Sequence, residues 1–112
     1  MQKFIKLFMV ISVLFISITK GQTTTSTATI KVYGNCETCK KRIEKAVKNV
    51  KGVESANWDS KTQMLTLKYD SSKTSEKEVE EKIALVGHDT KNKKASDKAY
   101  NSLPGCCQYD RK

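Results

Sequence analysis

Residues 29–93 predict an α+β sandwich in the order βαββαβ, with a four-stranded antiparallel sheet and two helices on one face. Three observations lead there. Apolar residues alternate in three short stretches, they recur at helical spacing in two longer ones, and glycines at 34, 52 and 87 stand where the period changes.

In the first stretch, Thr29-Ile30-Lys31-Val32-Tyr33, Ile30 and Val32 share one face, the period of a half-buried strand. Gly34 and Asn35 interrupt it. From Cys36 onward the apolar positions become Cys39, Ile43, Ala46, Val47 and Val50, one stripe along a helix of about four turns. Lys40, Lys41, Arg42, Glu44, Lys45 and Lys48 cover its other side, and Gly52 is the expected C-terminal stop. Residues 53–58 and 64–69 read as two strands joined by a loop, 59–63, short enough for a hairpin. In the second of them Leu65, Leu67 and Tyr69 alternate with Thr66 and Lys68. Ser75-Glu76-Lys77-Glu78 matches the S-x-x-E capping box, Val79, Ile83 and Val86 continue as a helical stripe, and Gly87 closes this second helix. Residues 88–93 are expected to form a short, polar last strand. Such a string is the split arrangement of a ferredoxin-like fold.

The flanks read differently. Lys3 and Lys6 border an apolar run over 4–18, followed by Thr19, Gly21 and Gln22, which is the layout of a secretory signal peptide over residues 1–21. Helix over that run spans roughly 22 Å, short of the ~30 Å hydrocarbon core, so cleavage is expected in place of a membrane span. No A-x-A precedes the cut, and Thr19 and Gly21 serve as the small residues. The expected location is periplasmic or secreted, with no stable membrane anchor after cleavage. Residues 22–28, QTTTSTA, read as a flexible leader, and residues 94–112 as a Cys-containing tail without period that docks instead of folding.

The full chain carries 21 basic and 12 acidic residues, a formal net charge of +9. Losing residues 1–21 removes Lys3, Lys6 and Lys20 and no acid, which leaves +6. A basic surface suits nucleic acid, an anionic membrane or an acidic protein partner, and export argues against nucleic acid. Simple solubility explains it equally well. No Ser/His/Asp set, paired carboxylates or phosphate-binding loop points to an enzyme.

All four cysteines lie beyond the signal segment, where disulfides are the default. Their spacing resists that default. Cys36 and Cys39 form a C-x-x-C, Cys106 and Cys107 are adjacent, and the gap between the pairs is long. Cys36 and Cys39 fall where a helix begins, among unpaired N–H groups and a partial positive charge that favour thiolates. Two soft sulfurs in open space suit Cu(I), or Hg(II) by the same softness, whereas a tetrahedral Zn(II) site wants four ligands.

The strand, Gly34-Asn35-Cys36-Glu37-Thr38-Cys39, Lys41-Arg42-Ile43-Glu44, Val50-Lys51-Gly52-Val53 and the His88-Asp89 after Gly87 together resemble the heavy-metal-associated domain family over roughly residues 29–92. That family includes soluble copper chaperones, amino-terminal modules of copper-transporting ATPases and the periplasmic mercury-binding protein. The resemblance implies that Cys36 and Cys39 hold Cu(I), with Hg(II), Ag(I) or Zn(II) as alternatives. It also implies that the ion passes by ligand exchange to a metal-transporting membrane protein or another acceptor. One departure stands out. The family usually reads Gly-Met-x-Cys, while here only Asn35 separates Gly34 from Cys36. The loop is shorter and lacks the methionine packed beneath it, which bears on metal selectivity more than on ligand identity.

In family members the residue after the glycine that matches Gly87 lies beside the cysteines, so His88, the only histidine, becomes a candidate third ligand. A solvated loop histidine is the plain alternative. Cys106 and Cys107 lie outside the family pattern. Adjacent side chains do not easily face one ion, and a disulfide between them is strained. Three readings stand: one returns as a third sulfur, the pair forms a second metal or redox point, or one forms a disulfide that ties the tail down. Trp58, Tyr69 and Tyr33 read as packing residues. Two other functions compete with an exported metal carrier. A thiol-disulfide redox protein would use the same C-x-x-C, although a thioredoxin-like one has a longer α/β pattern. An RNA-binding domain shares the element order but needs exposed aromatics on its central strands.

Overall fold

The computed structural model describes residues 24–111, so the signal-peptide reading of residues 1–21 lies outside the described residues. Strand β1 (Thr25–Lys31) is followed by helix α1 (Glu37–Lys48), strands β2 (Val53–Asp59) and β3 (Met64–Asp70), and helix α2 (Glu76–Leu85). A short helix α3 (Asp97–Asn101) and a 3-10 turn (Gly105–Cys107) complete the described chain. The sheet has three antiparallel strands in the order β1-β3-β2.

Alternation sets the layers. Ile30 and Trp58 both pair with Leu65 across the sheet, and Ala28 and Ala56 both pair with Leu67. Because side chains alternate along a strand, these residues share one face. They meet Cys39, Ile43 and Val47 from α1 and Val79 and Ile83 from α2 in a single core. Each fully buried Val, Leu or Ile contributes about 1.5–3 kcal/mol. Thr66 and Lys68 take the opposite, exposed face.

Helix α2 begins and ends as its sequence indicates. Ser75 Oγ accepts the Glu78 N–H at 3.2 Å. The Glu78 carboxylate does not complete the box but accepts the Thr74 hydroxyl at 3.2 Å. At the other end Gly87 N–H donates to Ala84 O at 3.0 Å and His88 N–H to Ile83 O at 3.3 Å, a Schellman pair closed by Gly87 at φ +103°. Gly52 does not stop α1, which ends at Lys48 with Asn49 as its C-cap. Gly52 sits further on, at φ +102°, and turns the chain into β2; an added Cβ there would lie 2.7 Å from the Lys73 Cβ.

Three further expectations are corrected. The leader assigned to residues 22–28 gives way to strand at Thr25, because Thr25 to Ala28 pair with Asp70 to Leu67 of β3 and the Thr24 hydroxyl donates to Asp70 at 2.6 Å. β-Branched threonines suit that ladder. The fourth strand, expected over 88–93, shrinks to one antiparallel bridge between Val32 and Thr90, so among the described residues the sheet is three-stranded. Its backbone and side chains are engaged elsewhere. Thr90 N–H turns back to Lys93 O at 2.7 Å, the Glu80 carboxylate accepts the Thr90 hydroxyl at 2.6 Å, and Asp89 accepts the Ala95 N–H at 2.7 Å.

The tail, read as unfolded, both folds and docks. Ser96 caps α3 by accepting the Ala99 N–H at 3.0 Å. Tyr109 is buried, its hydroxyl donating to Gly87 O at 2.9 Å and accepting the Asp89 N–H at 2.7 Å. Its ring lies against His88 (centroids 5.6 Å apart), Tyr33 (6.4 Å) and the edge-on Tyr100 (5.0 Å). Arg111 forks onto Asp89 at 3.0 and 2.9 Å, reaches Asp97 at 3.1 Å, and stacks 4.7 Å over Tyr100. Among the described residues no helix is long and apolar enough to cross a membrane.

Replacing Tyr109 by Phe keeps the ring but leaves the Asp89 N–H and Gly87 carbonyl buried without their partner. The expected cost is about 1–3 kcal/mol, read as a lower denaturation midpoint together with faster proteolytic cleavage after α3. Unchanged stability and protection would show that the tail is held by other contacts.

Candidate metal centre

The loop between β1 and α1 rests on Trp58. The indole is fully buried and its Nε1–H donates to Val32 O at 3.0 Å. A Cβ added at Gly34 would lie 3.1 Å from the indole ring and 3.2 Å from the Cys39 Cβ. A side chain at position 34 would therefore require the indole or Cys39 to give way by a few tenths of an ångström. The Gln63 side-chain amide donates to Gly34 O from the hairpin turn, where Gln63 itself has φ +62°. Trp58 and Gln63 thus support the loop from below and from the side. On the far side of α1, Glu44 and Lys40 tie the helix to β2. Glu44 accepts the Trp58 N–H at 2.8 Å and pairs with Lys40 at 2.7 Å, while Lys40 donates to Trp58 O at 2.8 Å. Burial raises the Glu44 pKa, but Lys40 and the Trp58 amide outweigh it and hold the carboxyl below its ordinary value. Part of the basic face of α1 is therefore structural.

Cys36 is the N-cap residue of α1 and Cys39 lies in its first turn. Their sulfurs are 3.8 Å apart. Cys39 is fully buried and its sulfur accepts the Asn35 N–H at 3.3 Å, whereas Cys36 is partly exposed. The Cys36 sulfur makes no formal capping bond. The Cys39 amide nevertheless lowers its pKa most, with Thr38 adding to this against some desolvation, down to about 7 from 9.0. The amides free at a helix start explain that direction.

Cys106 and Cys107 come to the same place. The sulfurs of Cys36, Cys106 and Cys107 all lie within 4.8 Å of one another, the one such cluster of three or more metal-ligating groups among the described residues. The two tail sulfurs, expected not to face one ion easily, lie close together. The 3-10 turn over Gly105–Cys107 leaves their sulfurs 3.9 Å apart. All four cysteines are free thiols, so no disulfide ties the tail down. Asn35 Nδ2 donates to Cys106 O at 3.3 Å, the Cys36 thiol points to the same carbonyl at 3.7 Å, and an Arg42 guanidinium N–H donates to Cys107 Sγ at 3.4 Å. Burial, with the neighbouring Cys39 thiol behind it, pushes the Cys107 thiol up to about 12 despite Arg42.

His88 takes neither the solvated position nor a place in the sulfur cluster. Its ring is fully buried and its Nδ1–H donates to Tyr33 O at 2.8 Å. Nε2 is buried without a hydrogen-bond partner. Desolvation holds the ring pKa below its ordinary value, with Arg42 in the same direction, against the Tyr33 carbonyl and Asp89. Sequence reasoning missed Gln63, Arg42 as a partner of sulfur, and Tyr109 as the tail's anchor. An aromatic two residues past a cysteine pair was the available signal for the last.

The profile of the heavy-metal-associated domain matches residues 29–89. Solved structures agree. The CopZ metallochaperone is 30% identical, with 58% of this chain and 98% of that one covered, at TM-score 0.57. Oxidized MerP from Ralstonia metallidurans CH34 is 28% identical, with 59% and 93% covered, at 0.57. The N-terminal domain of a potential copper-translocating P-type ATPase from Bacillus subtilis, in its Cu(I)-loaded state, is 27% identical, with 65% and 92% covered, at 0.58. Among curated protein sequences none matches significantly. The family match runs from within β1 to just past α2 and leaves the tail outside it.

Two measurements follow from the site. In the reduced, metal-free protein, iodoacetamide should modify Cys36 with a rate that rises through a midpoint near pH 7, in line with its lowered pKa; mass spectrometry of the labelled peptide gives the profile, and a midpoint near 9 would contradict the amide field. His88 gives a second profile. Its folded pKa lies below the unfolded value of 6.5, so its contribution is complete above pH 6.5 and is lost as pH falls from there toward the folded value. The slope should reach at most about 1.4 kcal/mol per pH unit. Denaturation of His88→Asn should lack that slope, and a slope unchanged in the variant would assign it elsewhere.

Proposed function

We propose that this protein, which belongs to the heavy-metal-associated domain family, is an exported, non-enzymatic carrier that holds a soft metal ion through Cys36 and Cys39 for transfer or scavenging. Cu(I) is the proposed cargo. The observation that carries this reading is the pair of sulfurs 3.8 Å apart at the start of α1. Its residues do the work that carriage requires. The amides of the first helical turn and the helix end charge favour thiolate at Cys36. Cys39 is buried and Cys36 is partly exposed, so an incoming thiolate approaches from the Cys36 side while Cys39 keeps its hold. Ligand exchange of this kind needs no change in the fold.

The proposed acceptor is a metal-transporting membrane protein, a choice supported by the likeness to the N-terminal domain of a potential copper-translocating P-type ATPase from Bacillus subtilis. Softness of the sulfur donors favours Cu(I), Ag(I) or Hg(II) over Zn(II) at a two-sulfur site. Export, proposed from residues 1–21, exposes the thiols to oxidation, and bound metal protects them.

Anaerobic Cu(I) titration of the reduced protein against a competing chelator tests the reading. One equivalent should bind tightly, and Cys36→Ser/Cys39→Ser should weaken binding by more than about a hundredfold, beyond the loss caused by removing outer-sphere partners alone. Failure of the unmodified protein to bind, combined with rapid thiol-disulfide exchange, would place redox chemistry ahead.

A further inference from the structure

The carrier reading uses one cysteine pair and leaves the other without a role. We propose that the tail completes a three-thiolate centre, in which Cys36, Cys106 and Cys107 together hold a soft ion of trigonal preference and convert an open two-sulfur clasp into a closed holding site. This rests on the carrier reading, since Cys36 is shared between the two arrangements.

Geometry carries the inference. An ion bonded to sulfur at ~2.3 Å places neighbouring sulfurs about 4.0 Å apart in a trigonal site, about 3.8 Å apart in a tetrahedral one and about 4.6 Å apart in a linear one. Cys106 and Cys107 are 3.9 Å apart, and both lie within 4.8 Å of Cys36. Small side-chain rotations close the triangle. The backbone that carries the two tail sulfurs is already fixed. Asn35 holds the Cys106 carbonyl, Tyr109 is anchored on Gly87 and Asp89, and Arg111 is forked onto Asp89. Little order is therefore lost when the ion binds, which is the condition for a strong site.

Charge supports the same assignment. Three thiolates around a monovalent ion leave two excess negative charges. Arg42, 3.4 Å from Cys107 Sγ, and the start of α1 offset them. The contact sets a cationic, partly buried side chain directly beside the tail sulfur. The consequence is retention. A two-sulfur clasp yields its ion to any competing pair of thiolates, whereas here an acceptor must also displace a tail held by its own contacts.

X-ray absorption at the copper edge, on reduced protein loaded anaerobically with one equivalent of Cu(I), counts the sulfurs. Three are expected in the unmodified protein and two in Cys106→Ser, whose exposed position leaves the fold undisturbed. Chelator competition should show Cys106→Ser weakened by more than about tenfold, at least what loss of an outer-sphere partner costs. A Cys106→Ser/Cys107→Ser variant, checked by circular dichroism, should behave in the same way. Two sulfurs in the unmodified protein, or no change in Cys106→Ser, would overturn the inference while leaving the carrier reading intact if Cys36→Ser/Cys39→Ser still abolishes binding. Absence of copper from the unmodified protein would overturn both.

Discussion

The sulfur end of the molecule depends on the backbone reversal at Gly87. With φ at +103° this residue closes α2 and sends the chain directly under the β1-α1 loop. An added Cβ would lie 2.8 Å from the Ala99 carbonyl and 2.9 Å from Leu103, so both the conformation and the space require glycine. From that turn His88 reaches the Tyr33 carbonyl, and Asp89 presents its backbone to Tyr33 and Tyr109 and its carboxylate to Ala95 and Arg111. Three consecutive residues thus join α2, the β1-α1 loop and the tail. If the turn opened, the loop holding Cys36 and the turn holding Cys106 would lose their common support.

That support explains why thiols in one cluster differ so much. Cys36 faces the amides of a helix start and is lowered to about 7, while Cys107, a few ångströms away, is buried beside other sulfur and raised to about 12. Identical chemistry is pulled in opposite directions by local field and by desolvation. A soft metal ion bound there, as proposed, would resolve the difference, because its own charge would replace the proton on both kinds of thiol. Without metal the cluster holds a reactive thiol next to a reluctant one.

The parts of the fold that were legible in the sequence are those held by local patterning. Ile30, Leu65, Leu67 and Ile43 occupy their expected faces because alternation and helical spacing reflect burial directly. Ser75 and Gly87 mark α2 because caps are chemistry of a few adjacent residues. The misread segments are governed by distant partners. Thr25 to Ala28 become strand only because β3 lies alongside, residues 88–93 lose their strand because Glu80, Ala95 and Arg111 engage them, and the tail's order comes from Tyr109 meeting Gly87 and Asp89. The site divides along the same line. Cys36 and Cys39 were visible as a spacing, but the arrival of Cys106 and Cys107 beside them required a fold, since no rule of spacing links residues seventy positions apart.

Losing the fourth strand and gaining the tail are two sides of one arrangement. A regular strand over 88–93 would direct the Asp89 and Thr90 backbone along β1, and the Asp89 N–H now bonded to Tyr109 would not be spared for the tail. A single bridge at Val32 and Thr90 instead keeps that segment against β1 while leaving Asp89 free to receive Tyr109 and Arg111. The interaction is substantial because the Arg111-Asp89 contact is bidentate and only partly exposed. Within the matched core Cys36 and Cys39 stand where the loop enters α1, and beyond it the chain adds a strap anchored through Tyr109 and Arg111. Its cysteines are therefore presented by the fold before any ion arrives.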